Sequence, residues 1–262
     1  MSLHKTLFRG TVALLYTFTA LPLVFVIAVS FDGGAVPAFP PSSLSIKWYV
    51  HALTLDLFVN SAQTSFWLAL VATLTATPLG ALGAVGLSRT KSSWKRVVEG
   101  FFLTPLVVPG IVIGISLLVA LAAIDVREAP VRLLVAHVLV VLPYSMRTVL
   151  ASLSRVDETL EEASMTLGAS PFKTFILVTL PLIKPGIIAG AIFSFILSFD
   201  DVAVSMFLTD AHTSTLPIAI MSYLEYNFDP AVAAISSLLI VVMLALAVAL
   251  EWLFGLRRLL GA

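Results

Sequence analysis

The sequence predicts an all-α membrane protein with six transmembrane helices, on three observations. Of its 262 residues, 59% are hydrophobic and 11% charged, against roughly 25% charged in soluble domains; mean hydropathy is +1.05. A soluble globule of this composition would expose large apolar patches, so lipid is the natural solvent. Six apolar segments reach the ~20 residues that a helix needs to cross a bilayer: 8–29, 65–87, 101–123, 131–150, 180–199 and 232–253. The bases are also one-sided. Threading the spans from an inside N-terminus puts Lys5, Arg9, Arg89, Lys91, Lys95, Arg96, Arg147, Arg155, Lys173, Lys184, Arg257 and Arg258 inside, and only Lys47, Arg127 and Arg132 outside. Excess Lys and Arg marks the cytoplasmic side, which predicts cytoplasmic N- and C-termini.

The first segment is too long for a signal-peptide core and lacks an A-x-A-like cleavage site, so it is read as a retained helix. Trp48 and Tyr49 fall in the first outer loop, and Trp94 and Trp252 near the inner face, as interfacial aromatics do. Pro78, Pro105, Pro109, Pro143 and Pro185 interrupt the spans, joined by Gly80, Gly83, Gly86, Gly110, Gly114, Gly186 and Gly190. These residues suit kinks and close packing, or a broken-helix path for solute. The Gly-rich faces of spans two, three and five are expected to meet a partner. There is no cysteine, and the four histidines lack metal-site spacing. Zero net charge offers nothing to nucleic acid.

Between spans four and five lies a polar loop. Asp157 is placed to cap a helix with Glu158, Glu161 and Glu162 in its first turns, where acids favour the helix dipole. Leu160, Ala163, Ser164 and Leu167 recur at helical spacing and make one weakly apolar face. Gly168 stands where a left-handed terminator is wanted, and Ser170-Pro171 reads as the cap and first residue of a second short helix. Interfacial helices that lie on lipid are usually basic. This acidic one fits a protein partner with basic residues better than an anionic leaflet.

The order Glu162-Ala163-Ser164, three residues, Gly168, nine residues, Val178-Thr179-Leu180-Pro181 resembles the EAA loop of bacterial ABC importer permeases. That loop runs EAA, x3, G, x9, I-x-L-P, with Ser164 and Val178 the departures here. Further stretches look familiar: Leu180-Pro181-Leu182-Ile183-Lys184-Pro185-Gly186, Ser198-Phe199-Asp200-Asp201, Thr215-Leu216-Pro217 and Phe228-Asp229-Pro230. Together they resemble the second permease subunit of spermidine/putrescine-type importers over nearly the whole chain. The resemblance implies a type I ABC importer permease fold with cytoplasmic coupling helices, in the bacterial inner membrane. An N-terminal helix and outer loop would occupy 1–57, a five-helix core 58–254, and a cytoplasmic tail 255–262. Partners would be a homologous second permease subunit, two ATPase subunits and a periplasmic substrate-binding protein, with lipid around them. Glu162, Ala163, Ser164, Leu167 and Gly168 would form the ATPase-coupling site. This chain has no G-x4-GK[ST] phosphate loop. It is expected to be a transport subunit rather than an enzyme, without a cofactor, ATP-Mg being bound by the partner ATPase.

Residues 200–231 hold Asp200, Asp201, Asp210, Glu225 and Asp229 with no Lys or Arg. Such a field concentrates cations, and neighbouring aromatics suit ammonium groups. Asp200, Asp201, Tyr223 and Glu225 are therefore candidates for the substrate path. The other reading is hydrated helix-end acids, one of them paired with Arg132. Relatives often carry an acid after the proline of span three, where this chain has Pro109-Gly110. That departure leaves open an amino-acid-like compound, thiamine or ferric iron in place of a polyamine. A secondary transporter working without ATPase would need ionisable groups at mid-membrane. A membrane-embedded enzyme would need a constellation around His137, for which the sequence offers no obvious partner.

Overall fold

The computed structural model describes residues 2–254; the expected tail 255–262, with Arg257 and Arg258, lies outside the described residues. Every regular element among them is helical: α1 Ser2–Ser30, α2 Lys47–Thr54, α3 Asp56–Arg89, α4 Lys95–Leu103, α5 Gly110–Ala123, α6 Ala129–Leu153, α7 Glu158–Thr166, α8 Pro171–Thr174, α9 Leu180–Phe199, α10 Ser205–Leu208, α11 Leu216–Tyr226 and α12 Ala231–Phe254. The chain forms two compact units, one of residues up to Asn60 with Ala219–Leu253, the other of Ser61–Ile218. The expected 58–254 core is thus shared between both units.

In the first unit, α1 turns nearly all its apolar side chains outward, Phe8, Tyr16 and Phe18 among them, as a lipid-facing helix should. The Tyr49 hydroxyl ties α2 to the end of α1 and to α12, lying 2.6 Å from Ser30 Oγ and 2.8 Å from Ser237 Oγ. Asp32 organises the loop after α1. Its carboxylate is buried and accepts from Gly34 N, Ala38 N, Ser42 N and Ser42 Oγ at 2.7–3.1 Å. The Ser42 hydroxyl, with the three backbone donors, lowers the Asp32 pKa to about 2. A depressed carboxylate adds stability above its unfolded pKa of about 4 and loses it as pH falls through the folded value. Asp32→Ala, which removes both acceptor oxygens, is therefore expected to remove exchange protection from the Gly34, Ala38 and Ser42 amides at neutral pH. In the native chain the same protection should persist at pH 5 and fade as pH falls from about 4 to about 2. Hydrogen exchange unchanged by the substitution would show that the loop is held by other contacts.

In the second unit, α6 packs along α9. The α9 residues Gly186, Gly190, Ser194 and Ser198, spaced four apart, are all buried. A Cβ at Gly190 would stand 2.9 Å from Ser145 Cα, and one at Gly186 2.7 Å from the Thr148 carbonyl oxygen, so α6 fits only against bare backbone. A Cβ at Gly80 of α3 would likewise meet Met146 N of α6 at 2.9 Å, and one at Gly114 of α5 the Val204 carbonyl at 3.1 Å. The expectation that these Gly-rich faces await another subunit is corrected here. At these positions the faces are filled within the chain.

α1, α3, α6 and the helical run from Pro171 to Phe199 are each long and apolar enough to cross a membrane. The 232–253 segment falls within α12, whose apolar run is described for Ala231–Leu246. The third expected span, 101–123, is not one straight helix. It bends by 100° between the Lys95–Leu106 part and α5. Pro109, at φ −56° and ψ 134°, leaves helical geometry and caps α5. Its ring excludes the α conformation from the residue before it, and it has no N–H to extend the preceding turn. α5 alone has 14 residues, about 21 Å of helix against a hydrocarbon core of about 30 Å. The expected second short helix of the loop, begun at Pro171, likewise does not stop before span five. It runs on through a π turn at Phe175–Thr179. The wider turn accommodates Pro181, which cannot donate to the turn before it.

Candidate functional site

Two clusters of the second unit stand out, at opposite ends of α9. At the N-terminal end, α7 and α8 form a capped double turn. Asp157 accepts from Thr159 N at 3.0 Å, capping α7, and these Thr159 contacts lower its pKa. Ser170 accepts from Lys173 N at 3.3 Å, with Pro171 as first residue of α8. α7 ends as its sequence suggests. Gly168 has φ +91°, its N–H reaches Met165 O at 3.0 Å, and Ala169 N–H reaches Ser164 O at 3.1 Å. This paired closure is a Schellman motif, which needs a left-handed residue at Gly168.

The double turn is fastened to the bundle. Arg89 Nη2, at the end of α3, donates to both carboxylate oxygens of Glu161 at 3.0 Å. The buried Thr179 hydroxyl donates to Glu161 as well. Ser164 Oγ meets Thr174 Oγ1 at 3.1 Å, joining α7 to α8. Glu161 and Ser164 therefore face inward, whereas Glu162, Ala163 and Leu167 are exposed, Leu167 at 89%. The expected single face of Leu160, Ala163, Ser164 and Leu167 is thus divided. An open cleft of about 460 Å³ borders the turn, lined by Arg89, Lys91, Lys95 and Glu162. Arg89 and Thr179 escaped the sequence reading because their link to Glu161 spans 72 and 18 residues.

At the other end of α9 the adjacent acids part ways. Asp201 Oδ2 accepts from Ser205 N at 2.8 Å, Ser205 Oγ at 2.9 Å and Val204 N at 3.2 Å. It caps α10 and is not the water-facing carboxylate expected from sequence. Asp200 is exposed and makes no side-chain hydrogen bond among the described residues. Partial burial, then the neighbouring charge of Asp201, raises its pKa. The expected pairing of an end acid with Arg132 is not made by Asp200; the Asp210 pKa is lowered by the backbone N–H groups of His212 and Thr213, with the Arg132 charge a lesser contributor. In the first unit, Tyr223 is buried against Phe58, ring centroids 5.0 Å apart, and donates to Asp229 at 2.8 Å. Glu225 is exposed.

His137 does have partners. It is buried in α6 with Nδ1 2.7 Å from Ser198 Oγ and Nε2 3.0 Å from Ser205 Oγ. No space for a water-sized group opens beside it, so this constellation has no access for an enzymatic substrate. A second polar string runs along the same interface, Thr77–Ser145–Ser194, with hydroxyl separations of 3.3 and 2.8 Å. A small or hydroxyl residue at every fourth position of α9 was the sequence signal for this seam.

The spans, the bent third span and the capped loop define a multi-pass membrane protein. The family described as binding-protein-dependent transport system inner membrane component matches residues 76–256, and the chain belongs to that family. It is 32% identical over 240 residues to the spermidine/putrescine transport system permease protein PotC of Escherichia coli strain K12, covering 92% of this chain and 90% of that one. It is 29% identical over 232 residues to the putrescine transport system permease protein PotI of the same strain, covering 86% and 82%. Its fold matches the bacterial alginate ABC transporter solved in complex with an alginate pentasaccharide-bound periplasmic protein, with TM-score 0.72 and 15% identity over 95% of this chain and 93% of that one. The chain is thus a multi-pass membrane permease subunit of an ABC importer.

Proposed function

We propose that the chain imports polyamines of the spermidine/putrescine type, or a related small organic cation, driven by ATP hydrolysis on two separate ATPase subunits. A homologous second permease completes the pore, a periplasmic binding protein delivers the solute, and both termini lie in the cytoplasm. The observation that carries the ATPase part is the α7–α8 turn. It is tied to α3 through Arg89–Glu161 and to the π turn that runs into α9 through Thr179–Glu161, its two halves are joined by Ser164–Thr174, and it presents Glu162, Ala163 and Leu167 outward. A pushed rigid turn transmits displacement to the spans it is tied to, as a flexible loop would not. The polyamine part is supported by the kinship with PotC and PotI and by the acids of 200–231. The uncharged Pro109-Gly110 turn favours a second reading, import of another small solute by the same machinery.

Reconstitution tests both parts. With its partner permease, ATPase and binding protein in liposomes, the chain is expected to support ATP-dependent spermidine uptake; alone it should carry none. Flux through liposomes holding only this chain, independent of ATP, would make it a secondary carrier. ATP-dependent uptake of another solute with no response to spermidine or putrescine would select the second reading.

A further inference from the structure

The hydrogen bonds around His137 favour one ring tautomer. The Ser205 hydroxyl has one proton and donates it to Asp201 Oδ2 at 2.9 Å. At its contact with His137 Nε2, 3.0 Å away, Ser205 Oγ must therefore accept. The Ser198 hydroxyl has only His137 Nδ1 as a side-chain hydrogen-bond partner among the described residues, at 2.7 Å, so it donates there. A neutral imidazole protonated on Nε2 satisfies every group. The other tautomer would set Nε2 against the lone pairs of Ser205 and strand the Ser198 proton, a costly arrangement in a buried seam. The donors run one way, Ser198 to His137 to Ser205 to Asp201, joining α9, α6 and α10.

We infer that His137 is a positioning residue: by completing this chain it commits Asp201 to the elbow between α9 and α10 and leaves Asp200 as the carboxylate of the pair that meets a cationic substrate. His137 Nε2 is 3.9 Å from Asp201 Oδ2, and with no opening beside it the ring acts through Ser205 rather than on solute. Asp201 is held by three donors, while Asp200 follows directly on the last turn of α9, its N–H on Ile196 O at 3.1 Å. The part given to Asp200 rests on the cationic-substrate reading above; the tautomer does not.

Two measurements on the assembled importer in nanodiscs test this. Histidine ring 15N spectra should show His137 neutral and protonated on Nε2 at neutral pH. Ser205→Ala should displace that signal and Asp200→Asn should not. A ring protonated on Nδ1, or on both nitrogens, overturns the chain. Spermidine uptake gives the second readout. Asp200→Asn is expected to raise KM about fivefold, the scale of one partly solvated charge interaction. His137→Ala should raise KM by a similar factor, and His137→Gln, which keeps a donor towards Ser205, should recover most of the loss. In the Asp200→Asn background His137→Ala should raise KM no further, because both act through one carboxylate. Multiplying KM effects would reduce His137 to a general structural residue and overturn the inference. If His137→Ala does not assemble, Ser205→Ala breaks the same chain one bond further on and takes its place in the cycle. An unchanged KM in Asp200→Asn, or no spermidine uptake by the native complex, overturns the substrate reading, and the ring spectra then still decide the chain.

Discussion

Replacing Gly168 with valine is expected to leave the permease inserted and assembled, but to cut substrate-stimulated ATP hydrolysis by more than about tenfold, because a β-branched residue is a genuine outlier at positive φ. The position is open, with nothing within 4 Å of an added Cβ, so space is not what forbids a side chain. The φ of +91° is. The cost to an ordinary L-residue is roughly 1 kcal/mol, and relieving it unwinds the closure on Ser164 and Met165 that aims Leu167 and Glu162 outward. The order of activities separates conformation from size. Asparagine tolerates left-handed backbone better than alanine, so Gly168→Asn should retain more coupled hydrolysis than Gly168→Ala although its side chain is larger. Alanine outperforming asparagine would mean that the turn senses bulk, and the docking role assigned to its shape would be lost.

The second large effect is on stability. Gly190→Val is expected to lower the thermal midpoint of the complex sharply and reduce its folded yield. Its Cβ would lie 2.6 Å from Thr148 Oγ1 and 2.9 Å from Ser145 Cα. Thr148 can rotate, but Ser145 Cα moves only with α6. Overpacking of this kind costs about 1–3 kcal/mol, and the shift also parts Ser145 from Ser194 one turn away, now 2.8 Å apart. Gly86→Val is the matched control, since no atom lies within 4 Å of a Cβ there. Equal thermal midpoints for the two variants would place the tight seam elsewhere.

What the sequence disclosed tracks how local the cause is. The caps at Asp157 and Ser170 and the left-handed Gly168 involve contacts over a few residues, so residue type and spacing suffice to find them. Gly186 and Gly190 were equally visible as part of a Gly-rich face, but nothing local says whether such a face meets α6 or another chain. Prolines were less telling. Pro22, Pro78, Pro143 and Pro185 all sit inside continuous helices, whereas Pro109, four residues after Pro105 and followed by glycine, stands at a break, after the helical run that ends at Leu106 and as the cap of α5. Asp200 and Asp201 are the same residue type at neighbouring positions with opposite roles. Only the direction in which the chain leaves α9 decides which of them turns back onto Ser205. The partners of His137 lie 61 and 68 residues away, beyond any reading of motif or period.

The bend at Pro109 also leaves backbone groups without helical partners in the middle of an apolar stretch. At the break, the N–H groups of Gly110 and Ile111 open a new helix and the carbonyls just before Pro109 close an old one, so both sets fall outside the hydrogen-bond ladder. The site is roughly midway through the apolar stretch from Lys95 to Ala123, and Val107 there is 85% exposed. Hydrocarbon offers such groups no partner, at a cost on the order of several kcal/mol each, and irregular backbone persists at that depth only against protein or water. Within the chain, Val108 packs against the cluster of Ile113 and Val204, and a Cβ at Gly110 would stand 2.8 Å from Ala203 Cβ, so one side of the bend is covered by α5 and the segment before α10; the exposed Val107 marks the side on which the free backbone groups still need a partner.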